Sequence, residues 1–268
     1  LPDAEFVGAT LVWRAADWLI QTRMISHYED EILHLAPGDD EGFGLLPETE
    51  FYVEGKRWML DSPGEWIHAD GWLHVWPPDG KSPEGRAWAT QRARAINASS
   101  SQDVSIHHVN IFGATLGIDG SDSQHLVISD VDISNSGEDA MLIGGTDAYL
   151  QRIRISGTVQ NGIRANDDAR GVRILDSQID GAGMLGMPRH SKGAIVFEAA
   201  RGHTLQRNRI TNAAYIGMRI FRHAIVTDNV IDGACLRLGD CGGIYTFARD
   251  RQSLDTIIER NKIMHLQG

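Results

Sequence analysis

The chain has 268 residues, 42% of them hydrophobic, enough to bury a large core as one big domain or two smaller ones. Its formal net charge of −11 argues against sequence-independent nucleic-acid binding, and an anionic substrate would need a local basic patch against that background. The only cysteines, Cys235 and Cys241, cannot supply a disulfide framework, and their spacing leaves one local bond open. No apolar run approaches the roughly 20 residues of a membrane span, and no signal peptide is visible.

Residues 1–100 hold every tryptophan: Trp13, Trp18, Trp58, Trp66, Trp72, Trp76 and Trp88. That shift in composition marks a Trp-rich β module ahead of the remaining chain, 101–268. In it VGATLVWRA and WLIQTRMISHYEDEILHL read as strands. EWIHADGWLHVW, within residues 65–77, reads as a hairpin turning on Asp70-Gly71 as a type I′ pair. Trp66, His68, Leu73 and Val75 then share one face; Ile67, Ala69, Trp72, His74 and Trp76 share the other. The tryptophans suit either a sugar-stacking platform or the filling of an interface between the hairpin and the remaining chain.

From residue 106 the chain repeats. IHHVNIFG, ISDVDISN, LQRIRISG, ILDSQIDG, LQRNRITN, VTDNVIDG and IERNKIMH begin at Ile106, Ile128, Leu150, Ile174, Leu205, Val226 and Ile258, spaced by 22, 22, 24, 31, 21 and 32 residues. The shorter spacings are too small for helix-pair repeats, which run from about 33 upward. They fit single turns of a parallel β-helix, with short β-branched strands joined by Asn, Asp and Gly corners. One coil cannot bury its apolar side, whereas a stack of coils about 4.8 Å apart can. The fold expected is therefore all-β, a right-handed parallel β-helix with a Trp-rich hairpin elaboration near its start. A chain that begins LPDAEF and ends NKIMHLQG just after a motif is expected to be part of a longer solenoid.

A second strand lies between the motifs: AMLIG from Ala140, GIRAN from Gly162, AIVFE from Ala194, GMRIF from Gly217 and GIYTF from Gly243. The small residue opening each one lets the chain turn a corner. The longer spacings leave room for insertions at 184–193, 235–243 and 248–253, and loops on a rigid stack are where function usually sits. GAGMLG, Gly181 to Gly186, has dinucleotide-site spacing but leads into Met187-Pro188 and a polar loop instead of a helix, so that reading fails.

LDSPGEWIHADGWLHVWPPDG, Leu60 to Gly80, together with the coil series through GDCGGIYTFARD, resembles the right-handed parallel β-helix proteins of carbohydrate metabolism. Among these are β-xylosidase-like and fucosidase- or xylanase-like β-helix glycoside hydrolases. The resemblance covers about residues 5–268. It implies a pectin lyase-like fold, sugar chemistry on one long strand face with paired Asp or Glu, and a bacterial-type extracellular or periplasmic protein. Three signatures of other β-helix enzymes are missing: the paired Asp and His-Gly of polygalacturonases, the Asp-Pro-His of alginate epimerases and the repeated GGxGxD calcium motif.

Alternation along the second strand turns Leu142, Arg164, Asn166, Val196, Glu198, Arg219, Phe221, Tyr245 and Phe247 outward. Such a face offers aromatics for stacking and charged groups for orientation and acid–base work. Glycoside hydrolysis needs two carboxyls, about 5 Å apart for retention or about 6.5–9.5 Å for inversion. The candidates are Glu198, Asp240, Asp168 and Asp139, with Glu198 and Asp240 as the expected pair; the competing reading of each is a corner-capping or solvated acid. Arg164 and Arg219 could bind a uronate or sulfate, serve a lyase, or only pair with Glu198 across coils. Asn166, Tyr245, Phe221 and Phe247 join them as substrate-binding candidates, and His190, on an inserted loop, as a general acid. A zinc site is not expected, because His107, His108, His203, His223 and His265 lack metal-ligand spacing. Three functions are open to such a chain: a cofactor-free hydrolase of a polysaccharide or oligosaccharide, a polysaccharide lyase in which calcium could take part, or a non-catalytic carbohydrate-binding solenoid.

Overall fold

The strand expected from VGATLVWRA forms over Thr10–Ala16 in a computed structural model that describes residues 5–38, 43–45, 48–186, 193–248 and 250–267. The next expected strand is divided into Leu19–Glu29 and Ile32–Leu35 because Asp30 and Glu31 take left-handed conformations, φ 48° and 65°. With Phe51–Glu54 they form an antiparallel sheet in the order Ile32–Leu35, Leu19–Glu29, Thr10–Ala16, Phe51–Glu54, so Phe51–Glu54 is an edge strand. Ala9, Leu11, Trp13 and Ile25 pack as its core. The hairpin pairs Trp66–Ala69 with Trp72–Val75. Asp70 and Gly71 turn it at φ 53° and 78°, which requires the conformational freedom of an Asp-Gly pair. These elements belong to one compact unit, Leu1–Trp88; a second unit covers Ala89–Gly268.

The second unit is a parallel β-solenoid. Ile106, Ile128, Leu150, Ile174, Leu205, Val226 and Ile258 stand in unbroken parallel register. Five residues on, Ile111, Ile133, Ile155, Ile179, Ile210, Ile231 and Ile263 do the same. From Ile128 to Val226 and from Ile133 to Ile231 these side chains are at most 2% exposed. Each such burial is worth roughly 1.5–3 kcal/mol, which is why the period of the motif dictates the stack.

The third residue of every motif is left-handed: His108, Asp130, Arg152, Asp176, Arg207, Asp228 and Arg260 have φ between 51° and 60°. From Asp130 onward acid and base alternate along this column, joined at 2.6–2.7 Å as Asp130–Arg152, Asp176–Arg207 and Asp228–Arg260. The fourth residue decides whether the strand continues. Where it is Val109, Val131 or Ile153, one strand runs through the motif. Where it is Ser177, Asn208, Asn229 or Asn261, the strand splits in two. The asparagine amides explain the split: Ser177, Asn208 and Asn229 each donate their backbone N–H to the Oδ1 of the next asparagine, at 2.9–3.1 Å, in place of a strand carbonyl.

Candidate functional site

The second strands form a seven-stranded parallel sheet whose inward column runs Ile96, Ile118, Met141, Ile163, Ile195, Met218, Ile244. Its outward neighbours are Asn97, Asp119, Leu142, Arg164, Val196, Arg219 and Tyr245. Two side chains depart from the expected alternation. Val196, between the two arginines, is 1% exposed, and Thr246, which has the inward parity of Ile244 two residues before it, is exposed.

Just beyond the outward column the face opens into a recess of about 520 Å³, lined by Arg164, Ala165, Asn166, Asp167, Asp168 and Glu198. The Asp168 Oδ2 accepts the Gly145 N–H at 3.2 Å, which ties the acid to the neighbouring coil. Glu198, half exposed at 49%, accepts a 3.2 Å bond from Arg219, whose side chain is 19% exposed. Arg164 donates its Nε to the Asp139 Oδ2 at 2.7 Å.

Asp139 is 6% exposed, and its Oδ1 also takes the Asn161 backbone N–H and Nδ2 at 3.0 and 2.8 Å. Asn161, fully buried, accepts the Gly193 N–H on its Oδ1 at 2.9 Å. A buried chain from Gly193 through Asn161 and Asp139 therefore sets the position of Arg164 at the recess. Expected as a catalytic acid, Asp139 is instead an interior anchor, because the corner residue ahead of the small one points under the strand. A parallel device holds Arg94 to Asp119 at 2.6 Å. Burial alone would raise the Asp119 carboxyl, but hydrogen bonds from Ser121 and Arg94 outweigh it and hold the group below its ordinary range.

Asp240 does not reach the described lining of the recess. It sits exposed and left-handed, φ 47°, on a loop closed by a Cys235–Cys241 disulfide. Its carbonyl accepts the Tyr215 hydroxyl at 2.9 Å. Burial, and then the Asp240 charge, push that hydroxyl up to about 12. Asp240 thus acts as a corner residue, and the expected Glu198–Asp240 pair is not assembled around the recess. Tyr245 stands beside Arg219 in register, half-buried; Phe221 lies under the Arg222 guanidinium at 5.1 Å; Phe247 is 48% exposed. His190 lies outside the described residues. Among the described residues no three His, Cys, Asp or Glu side chains gather as a metal site would require.

Asp167 and Asn161 were not singled out from the sequence. Asp167 adjoins Asp168 in ANDDARG and needed only the same reasoning. Asn161 had a signal as well: it precedes the small residue of its coil, as Asp139 does in the preceding one.

Residues 94–265 match the family model described as the right handed beta helix region. Searches of the curated proteins and of the solved structures give no match. Since the matched stretch covers well over half of the chain and coincides with the stacked coils, the protein belongs to the right-handed β-helix family.

Proposed function

We propose that the protein is a glycoside hydrolase acting on a neutral polysaccharide or oligosaccharide, with Glu198 and Asp168 as its carboxyl pair and Arg164 and Asn166 orienting the sugar. The observation carrying this reading is the composition of the recess: three carboxylates, Asp167, Asp168 and Glu198, against one guanidinium, that of Arg164. A lyase acting on a uronate polymer calls for a basic cleft that neutralises the substrate's charge, and this lining has the opposite balance. Glu198, held by Arg219, suits the nucleophile or base, and Asp168 supplies the partner carboxyl. Arg164 is itself tethered to Asp139, so its remaining N–H groups are oriented before a sugar arrives. The disulfide fits a protein working in an oxidising compartment, outside the cell or in a periplasm.

The test is reducing-sugar release from a panel of neutral polysaccharides by the wild type, Glu198→Gln and Asp168→Asn. Each substitution is expected to lower kcat by about 10²–10⁴-fold, the usual contribution of one acid–base group. Release of unsaturated, ultraviolet-absorbing products would overturn hydrolysis in favour of elimination. Tight sugar binding without cleavage on any substrate would favour the non-catalytic solenoid, a reading to which the Glu198–Arg219 ion pair also lends itself.

A further inference from the structure

A second recess, of about 670 Å³, lies wholly within the unit Leu1–Trp88. One side is the edge strand Phe51–Glu54 and the turn after it; the other is the hairpin strand that opens with Trp66. Its chemistry differs from that of the acid-lined recess. Tyr52 and Trp66 bring aromatic rings, while Thr10, Glu54, Lys56 and His68 bring hydrogen-bonding groups of both senses. Glu65 also borders it, but its Oε2 is occupied by the Asp61 and Ser62 N–H groups, both at 2.8 Å.

The Trp66 ring is not part of the core of this unit. Trp13 is buried in the core, Trp18 packs edge-on against Phe43, and Trp58 packs edge-on against Phe6 and donates to the Glu5 carbonyl. Trp66 is 67% exposed, as Trp72 and Trp88 are at 72% and 74%, but of the tryptophans it is Trp66 that borders this recess, and its cross-strand neighbour is the small Val75. A large ring left in water at the border of a concave surface is free to stack on a ligand held there. An aromatic ring that shares a recess with an acid, an amine, an imidazole and a hydroxyl, with little net charge, matches a molecule having apolar C–H faces and hydroxyls at its edge. It offers little to a nucleic acid or a strongly anionic polymer.

We propose that this recess is a sugar-binding site separate from the acid-lined one, in which the Trp66 indole stacks on a neutral sugar ring and Glu54, Lys56 and His68 bond its hydroxyls. The recess is assigned binding and not cleavage, because Glu65 is drawn into its own turn by the Asp61 and Ser62 N–H groups and Glu54 shares the lining with Lys56. That it retains the polymer on which Glu198 acts rests on the hydrolase reading; the binding itself does not.

The experiment uses the full chain carrying Glu198→Gln, run in native gels containing xylan, galactomannan, mixed-linkage glucan, alginate or casein. Retardation is expected in at least one neutral polysaccharide and not in alginate. Trp66→Ala should weaken it by at least about tenfold, an ordinary loss for one stacking aromatic. Trp66→Tyr should keep most of it, and Trp72→Ala, on the opposite hairpin face, should leave it intact. No retardation in any neutral polymer, or retardation indifferent to Trp66→Ala, overturns the proposal. Retardation by casein alone, lost with Trp66, overturns it too and assigns the groove to an extended peptide. Because binding is read in a Glu198→Gln protein, the two readings fail separately. A wild type inactive on every sugar sinks the hydrolase while Trp66-dependent retardation stands, and an active wild type without that retardation sinks only this site.

Discussion

His203 lies flat against Phe197 inside the solenoid, ring centroids 4.1 Å apart and planes 11° from parallel, with neither imidazole nitrogen hydrogen-bonded. Burial holds the ring neutral, its pKa lowered to about 4. Above about pH 6.5 both folded and unfolded chains carry a neutral imidazole, so this group contributes no pH dependence there. As pH falls below about 6.5 the unfolded chain takes up a proton that the folded one refuses, and stability drops until the folded group titrates. Between about pH 7.5 and pH 4 that loss is about 3 kcal/mol. Urea unfolding of the wild type and His203→Leu at the two pH values should show the variant losing about that much less. Equal losses in the two proteins would refute the assignment.

The two polar columns of the stack should differ sharply in worth. Arg207 and Asp176 form a well-aligned pair, with side chains 48% and 30% exposed. Asn229 is fully buried: it accepts from Asn208 and donates its Nδ2 to the Leu205 carbonyl and the Asn261 Oδ1, both at 2.9 Å. Arg207→Ala is expected to cost less than about 1 kcal/mol, as exposed pairs do. Asn229→Ala strands the backbone N–H of Asn208 and should cost about 3 kcal/mol. Urea midpoints rank them, and comparable losses would mean that the asparagine column is not what holds the corners.

Much of this architecture was legible because a parallel stack turns sequence period into register. The seven motifs align as their spacing predicts, insertions included, since an insertion between strands leaves the pairing unchanged. The same register brought Arg164, Asn166 and Glu198 to one face, with Asp168 a short step past its strand. Asp240 escaped it. It belongs to the loop between Cys235 and Cys241, and a loop's path depends on its own contacts, here Tyr215 and the disulfide. Val196 shows the other limit: strand parity turns it outward, but its neighbours in the column are Arg164 and Arg219, and what covers a side chain is not written in parity.

Two acids near Arg164 should separate scaffold from site. Removing Asp139 leaves the Asn161 N–H, the Asn161 amide and the Arg164 Nε without their acceptor. Asp139→Ala should therefore destabilise by about 2–4 kcal/mol. Glu198→Gln, at a half-exposed position paired with Arg219, should shift stability by no more than about 1 kcal/mol. Thermal unfolding of both variants, together with sugar binding of each, is the check. A Glu198→Gln protein as unstable as Asp139→Ala would make Glu198 a structural acid and remove it from the proposed pair.

Gly162 stands between Asn161 and the strand that carries Arg164, and it is glycine for want of space, not for backbone torsion. A Cβ there would lie 2.5 Å from the Ala194 carbonyl oxygen and 2.8 Å from the Ile179 Cγ2, and the residue has no left-handed φ. Gly202 presents the reverse case: φ is +69° and the nearest atom to an added Cβ is 3.9 Å away. Substitution separates the two causes. Asparagine tolerates the left-handed region, so Gly202→Asn should cost less than about 1 kcal/mol. At Gly162 even alanine must push one coil away from the next, and Gly162→Ala should cost about 2–3 kcal/mol. The displaced backbone adjoins Asn161, so Gly162→Ala should also weaken sugar binding at the acid-lined recess, where Gly202→Asn leaves it unchanged. If Gly202→Asn proves the more damaging in urea unfolding, close approach between coils is not what selects glycine at this corner.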